Sequence, residues 1–256
     1  MSLESLFGLR GKVAAVTGAS RGLGRAIALG LAEAGVDLIL SSRGQEDVQR
    51  VAAEIEALGG QALAVAADVA QADDVQRLLD RGLERFGRVD VLVNNAGISP
   101  VYKRAEQMAL ADWQRILDVN LTGVFLCCQA FGRAMLAQQR GVVINMSSVG
   151  AQAGFPRLSA YCASKGAVES LTRVLAMEWA ASGVRVNALA PAFIETDMTA
   201  GVREHEALNA TIVQRTPLHR MGLPNEVVGA ELFLASDAAS YVTGQVLTVD
   251  GGWLAG

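Results

Sequence analysis

The sequence predicts an α/β fold, a doubly wound parallel sheet of seven strands with helices on both faces. Three observations predict it. Short runs rich in β-formers alternate with longer segments of helical period. The strand runs are apolar almost throughout, as expected where both faces of a sheet are covered. No linker, repeat or composition break divides the 256 residues, so one domain is expected, long enough to bury a substantial core.

The elements follow in order. KVAAVTG reads as the first strand, and the glycine turn after it opens the helix GLGRAIALGLAEAG. VDLILSS is followed by the helix QEDVQRVAAEIEALG, and ALAVAAD by ADDVQRLLDRGLERFG. VDVLVNNAG leads to a long helical stretch from ADWQRILDVN to MLAQQ, and GVVINMSS to a helix that begins near YCASK. VRVNALAP, a helix around NEVVGAELFLAS and the strand QVLTVDGG complete the count. Each crossover between parallel strands is expected to be right-handed. From Ala192 to about Leu223 the periodicity weakens between boundaries at Pro191 and Pro217. An insertion leaving the carboxyl edge of such a sheet predicts a substrate lid.

Composition narrows the function. The chain is 51% hydrophobic and 19% charged with 5 prolines, which describes a globular protein without a disordered tail. A formal net charge of −4 argues against a nucleic-acid surface. Cys127, Cys128 and Cys162 have neither metal nor redox spacing, and His205 and His219 lie too far apart for a helical metal pair, so no metal is expected. MSLESLFGLRGK lacks the apolar core of a signal peptide, and no apolar run reaches the roughly 18 residues of a membrane helix. A soluble cytoplasmic protein is the expectation.

The stretch 17-TGASRGLG-24 lies between the first strand and its helix. Glycines there allow a tight turn and let the backbone approach a pyrophosphate resting on the helix N-terminus. Dinucleotides with a free ribose 2′-hydroxyl usually meet an Asp or Glu at the end of the second strand. This chain has Ser41, Ser42 and then Arg43, with Asp37 at the wrong end. Arg43 and Arg21 suit a 2′-phosphate, since guanidinium binds phosphate through paired charge-assisted bonds. The reading favours NADP over NAD.

Four motifs now stand in order: TGxxxGxG, 94-NNAG-97, Ser148 thirteen residues before Tyr161, and YxxxK. Together they resemble the short-chain dehydrogenase/reductase family from about Lys12 to the C-terminus. The resemblance implies a Rossmann fold and hydride transfer between a nicotinamide and a carbonyl or secondary alcohol. Tyr161 and Lys165 share a helical face, and a nearby cation is expected to pull the phenol below its ordinary pKa near 10. Tyr161 would then be the general acid or base, with Ser148 polarising the substrate oxygen and Ser147 turned away by strand alternation. By the resemblance, Lys165 also meets the nicotinamide ribose, and Asn120 supports a water chain to it. The implied cofactor contacts are Gly18, Ser20, Arg21, Gly22, Leu23 and Gly24, then Ser42 and Arg43, then Asp68 and Val69 at the adenine. They continue with Asn95, Ala96 and Gly97, with Tyr161 and Lys165, and with the Ile194 backbone and Thr196 hydroxyl at the carboxamide. Many relatives carry glycine where this chain has Ala192.

Longer stretches at both ends, and 214–245, resemble the branch acting on sugar acids and polyols, such as gluconate 5-dehydrogenase, while SSRGQ resembles NADP-dependent carbonyl reductases. The expected substrate is a sugar acid, polyol or small ketone. Gly150, Ala151, Gly154 and Phe155 are candidate pocket residues, and Lys103 and Arg104 are candidates for attracting a carboxylate. A 3-oxoacyl-carrier-protein reductase is the alternative, disfavoured because the stretch after NNAG lacks a TRD-like run. A cofactor-binding regulator without chemistry is a further alternative, disfavoured because Ser, Tyr and Lys are all kept. The resemblance implies a homotetramer, with the apolar 227-VVGAELFLAS-236, Trp253 and Leu254 expected at subunit contacts.

Overall fold

The computed structural model describes residues 2–256. Its strands are β1 (Val13–Thr17), β2 (Asp37–Ser42), β3 (Ala62–Ala66), β4 (Val91–Asn94), β5 (Gly141–Met146), β6 (Val184–Pro191) and β7 (Val246–Val249). They form one seven-stranded sheet in the order β3-β2-β1-β4-β5-β6-β7, and every neighbouring pair is parallel. The strand order reverses between β1 and β4. A crevice beyond the carboxyl ends therefore opens there, and in such sheets it is where ligands bind.

The helices cover both faces. α1 (Leu3–Phe7) is a short turn capped by the Ser2 side chain. α2 (Gly22–Glu33) and α3 (Gln45–Ala57) lie on one face, while α4 (Ala72–Phe86), α5 (Leu110–Leu117), α6 (Gly123–Ala137) and α7 (Ser159–Trp179) lie on the other. α8 (Ala200–Glu204) and α9 (Glu206–Arg215) lie in the weakly periodic region, and α10 (Pro224–Ala235) packs beside α2. Successive residues of a strand point to opposite faces, so each strand feeds two cores. Ala14, Val16, Leu38 and Leu40 meet the first helix group and α10. Val13, Ala15, Ile39, Leu92 and Val143 meet the second. Burial of a Leu or Ile side chain contributes roughly 1.5–3 kcal/mol, so this two-sided apolar pattern dominates the stability of the fold.

Two expectations change. The long helix after β4 is continuous from Leu110 to Ala137, but a π-helical turn at Asp118–Thr122 interrupts its register. At 28 residues it is long and apolar enough to cross a membrane, and half of its most apolar window is buried inside the protein. Its polar residues, among them Asp112, Arg115, Asp118 and Asn120, hide that length in the linear sequence. The second change concerns the apolar C-terminal segments. Val227, Leu234 and Ala235 belong to the protein's own core, and Trp253 is buried within the same chain. α2 and the chain's own aromatic side chains cover these four, whereas Val228, Leu232, Phe233 and Leu254 stay half-exposed.

Candidate active site

The glycine loop is shaped by close contacts. Gly18 and Gly22 have φ of +65° and +55°, a region that side chains disfavour. A Cβ on Gly24 would lie 2.2 Å from the Gly18 carbonyl oxygen and 2.4 Å from Asn95 Nδ2. α2 starts at Gly22 without a side-chain cap, which leaves its first N–H groups free for phosphate oxygens. The loop is lashed to the end of β4. Thr17 Oγ1 accepts the N–H groups of Asn95 and Ala96, both at 3.1 Å. Asn95 Nδ2 donates to the carbonyls of Thr17 at 2.9 Å and Gly18 at 3.0 Å. The Asn95 amide thus serves the loop, while Ala96 faces Gly18 and Gly97 lies beside Asn120 and Lys165. Ser20 and Leu23 are half-buried in the same turn.

Beyond β2 lies a cavity of about 340 Å³ lined by Arg43, Asp68, Ala70, Ala111, Gln114, Arg115, Asp118 and Val119. Asp68 Oδ1 accepts from the Ala70 N–H, and the Asp68 N–H donates to Asp74, whose carboxyl is held below its usual range by that bond and by Arg77. Val69 is buried against Gly123. The Ser42 hydroxyl is engaged by the Gly44 carbonyl at 2.8 Å. Arg21 does not line this cavity; its Nε lies 3.5 Å from Asp197 on the segment after β6. The tight glycine cradle, the free helix start and a cavity that offers the Arg43 and Arg115 guanidinium groups beside Asp68 and Asp118 fit a dinucleotide along this crevice.

At the other end α7 sets Tyr161 and Lys165 one turn apart, with Nζ 5.8 Å from the centre of the phenol ring. Lys165 is 4% exposed and donates to the Met146 carbonyl at 2.6 Å. Burial brings its pKa down to about 8. Burial also raises the Tyr161 pKa, and a hydrogen bond with Ser148 opposes part of that rise. The expected lowering by Lys165 is therefore not met in the protein by itself. The ammonium is anchored at the Met146 carbonyl, and desolvation of the phenolate wins.

Ser148 Oγ accepts the Gly150 N–H at 3.0 Å and caps a 3₁₀ turn. Ser147 turns away, as alternation requires, and donates to buried Glu169 at 2.9 Å. Asn120 sits fully buried in the π turn, a kind of helix irregularity frequent at functional sites. Its amide pairs both ways with Ile98, accepting the N–H at 2.8 Å and donating to the carbonyl at 2.9 Å, and it also reaches Ser164.

The segment after β6 closes this end. Ile194 bridges to Gly222, which bonds to the flanking Phe193 and Glu195, so the Ile194 N–H and C=O face the other way. Thr199 takes the Ile194 carbonyl at 2.6 Å and receives the Thr196 N–H at 3.0 Å. Thr196 stands 3.5 Å from where a Gly22 side chain would be. Ala192 keeps a negative φ, so its lack of glycine costs no strain. Of the basic pair, Lys103 faces Asp112 at 3.7 Å and Arg104 faces Glu106 at 3.9 Å. Phe155, Phe193 and Trp253 form an aromatic cluster. Thr17, Ser164, Glu169 and Phe193 were not singled out from sequence; Phe155 was, as a pocket residue, and Trp253 only as a subunit contact. Only Thr17, next to the first glycine, carried a local signal.

The family model described as Enoyl-(Acyl carrier protein) reductase matches residues 18–254. The chain belongs to the short-chain dehydrogenase/reductase family. Within that family it is 44% identical to galactitol 2-dehydrogenase (L-tagatose-forming) of Cereibacter sphaeroides, over 99% of both chains. It is 49% identical to 3-oxoacyl-[acyl-carrier-protein] reductase of Synechocystis, over 95% of this chain and 97% of the relative. A gluconate 5-dehydrogenase from Burkholderia cenocepacia, solved with NADP and tartrate, superposes with a TM-score of 0.96 at 37% identity, over 100% of each chain. As a short-chain dehydrogenase/reductase the chain is an oxidoreductase acting on CH–OH groups.

Proposed function

We propose that the protein is an NADP(H)-dependent oxidoreductase that interconverts a secondary alcohol and a carbonyl on a sugar acid, polyol or small ketone. The convergence of Tyr161, Ser148, Lys165 and Asn120 at one end of a glycine-cradled crevice carries the reading. The nicotinamide, when bound, supplies or accepts the hydride. Tyr161 moves the proton. Its raised pKa keeps the phenol protonated near neutral pH, which suits donation to a carbonyl oxygen, and oxidation needs the phenolate. Ser148 bonds to Tyr161 and orients the substrate oxygen. Lys165 contributes positive charge to the phenolate, and Asn120 holds the turn at Ile98 that borders Gly97. Gly18, Gly22 and Gly24 admit the pyrophosphate; Arg43, with Arg21 released from Asp197, holds the 2′-phosphate.

Residues 192–223 act as a lid, supported by the Ile194–Gly222 bridge at its base and the Thr196 approach to Gly22. Relatives that act on galactitol and on gluconate, and the neighbour holding NADP and tartrate, support the substrate class and cofactor. The 49% identity to a 3-oxoacyl-carrier-protein reductase favours the second reading, an acyl-carrier substrate. Against it, Lys103 and Arg104 are both paired with carboxylates and offer no free basic strip to a carrier. A homotetramer is supported by exposed Phe125, Val174 and Met177, the last at 85%, on α6 and α7, and by the half-exposed edge strand β7. Three unpaired cysteines support a cytoplasmic setting.

The test is a turnover screen. NADP- or NADPH-linked absorbance change is followed with gluconate, galactitol, a diketone and an acetoacetyl thioester. Turnover of the thioester alone would replace this reading with the second one. Tighter binding of NADH than NADPH would overturn the cofactor.

A further inference from the structure

We propose that Arg215, together with the indole N–H of Trp253, forms a carboxylate-binding end of the substrate site, so that this enzyme takes sugar acids in preference to neutral polyols. The inference rests on the oxidoreductase reading above and narrows its substrate class.

Several exposed basic side chains are matched, while Arg43 and Arg115 in the adenosine-end cavity have no paired carboxylate among the described residues. Arg21, Lys103, Arg104, Arg203 and Arg220 each stand against a carboxylate. Arg157 stacks on Tyr102. Arg215, the last residue of α9, has no carboxylate paired to it among the described residues. Its guanidinium lies over the Trp253 ring, 3.7 Å from the centroid. Such stacking fixes a guanidinium's position and leaves its edge donors free for an anion.

The ring beneath it is also unsatisfied. Trp253 is 3% exposed and its Nε1–H has no hydrogen-bond partner among the described residues. A buried indole N–H normally finds an acceptor, so this one marks a place for an acceptor that the chain does not supply. Two donors without acceptors thus share one aromatic ring.

That ring belongs to the substrate end of the crevice. Trp253 meets Phe155 at 5.2 Å and Phe193 at 5.8 Å between ring centres. Phe155 covers Gly150, where any Cβ would be 3.1 Å from the ring, and Gly150 donates to Ser148. Phe193 immediately precedes Ile194 at the base of the lid. The cluster therefore joins the loop after Ser148, the lid base and the C-terminal turn. Asp250 fixes that turn by accepting the N–H groups of Gly252 and Leu254, both at 2.9 Å. A polyhydroxy acid with its reacting carbon at Ser148 and Tyr161 would run along the aromatic faces and place its carboxylate at Arg215. A neutral polyol of the same length leaves both donors unmatched.

The test compares gluconate and galactitol as NADP-linked substrates for the wild type, Arg215→Gln, Arg215→Lys and Trp253→Phe. The expected result is a wild type that prefers gluconate. In Arg215→Gln the ratio of kcat/KM for gluconate over galactitol should fall about ten- to a hundredfold, through KM and not kcat. Arg215→Lys should recover part of the loss, and Trp253→Phe should show a smaller fall in the same ratio. An unmoved ratio, including an equal loss on both substrates, would overturn the inference and mark Arg215 as a packing residue. A wild type that oxidises galactitol and not gluconate would also overturn it, while leaving the oxidoreductase reading intact. Turnover of neither would also overturn it, and the oxidoreductase reading would then stand or fall on the diketone in the turnover screen.

Discussion

At the proposed catalytic end of the crevice, Asn120, Ser148 and Lys165 are buried and each is bonded within the chain, whereas at the adenosine end Arg21 and Arg43 are exposed. The contrast follows from what each end must do. Proton movement needs groups held at hydrogen-bond distance in a dry setting, where desolvation sets their pKa values. Choosing between a 2′-hydroxyl and a 2′-phosphate needs only positive charge within reach, so long side chains in water suffice. Substitutions at the first end should abolish turnover. At the second they should change a ratio.

The sharpest test of that contrast is Tyr161→Phe. Turnover should fall by about a hundredfold to ten-thousandfold, with NADPH binding nearly unchanged in a fluorescence titration. If the variant keeps most of its activity, the proton travels by another route and the buried end loses its assigned role. In the wild type, alcohol oxidation should accelerate with rising pH, because the raised Tyr161 pKa leaves little phenolate at neutrality. Carbonyl reduction should hold over that range and weaken only as pH passes the raised Tyr161 pKa. A flat oxidation profile from about pH 6 to 10 would mean that ionisation of the phenol does not limit the rate.

Arg43→Asp probes the exposed end with a smaller effect. The ratio of kcat/KM for NADPH over NADH should drop about ten- to a hundredfold, with kcat on the preferred cofactor little altered. An unchanged ratio would place the 2′-phosphate elsewhere in the cavity that Arg43 shares with Arg115.

Two buried acids repeat the comparison away from the crevice. Glu169 accepts bonds from Ser147 and Gln152, while Glu231 on α10 is 0% exposed with neither oxygen partnered. Burial pushes the Glu231 carboxyl from its ordinary 4.5 up to about 8. A folded-state pKa above the unfolded value means that the folded protein holds the extra proton between those values. The resulting stability is present in full below pH 4.5 and is lost as pH rises through about 8. Wild-type thermal stability should therefore decline across that window, and Glu231→Gln should flatten the decline, a difference on the order of a few kcal/mol at most. Parallel curves for the two proteins would show that Glu231 does not titrate in isolation. Lys165 acts oppositely and higher, since its lowered pKa adds stability only as pH rises above about 8.

Much of this was legible from the residues alone. The strand and helix assignments rest on periods of two and 3.6 residues, which short windows contain. The glycine loop, the shared face of Tyr161 and Lys165, and the opposite turn of Ser147 from Ser148 are likewise local facts of spacing. What only the tertiary structure decided joins residues far apart in the chain. Thr17 pins Asn95, 78 positions away, and Asn120 answers the Ile98 backbone and Ser164. Arg21 faces Asp197, and Trp253 lies buried among Phe155, Phe193 and Arg215. The direction of the Tyr161 pKa belongs to the same group. Spacing places Lys165 beside it, but the fold decides that the ammonium is tied to Met146 and that desolvation of the phenol outweighs its bond with Ser148. Local chemistry chose the residues; burial and long-range partners set what each of them can do.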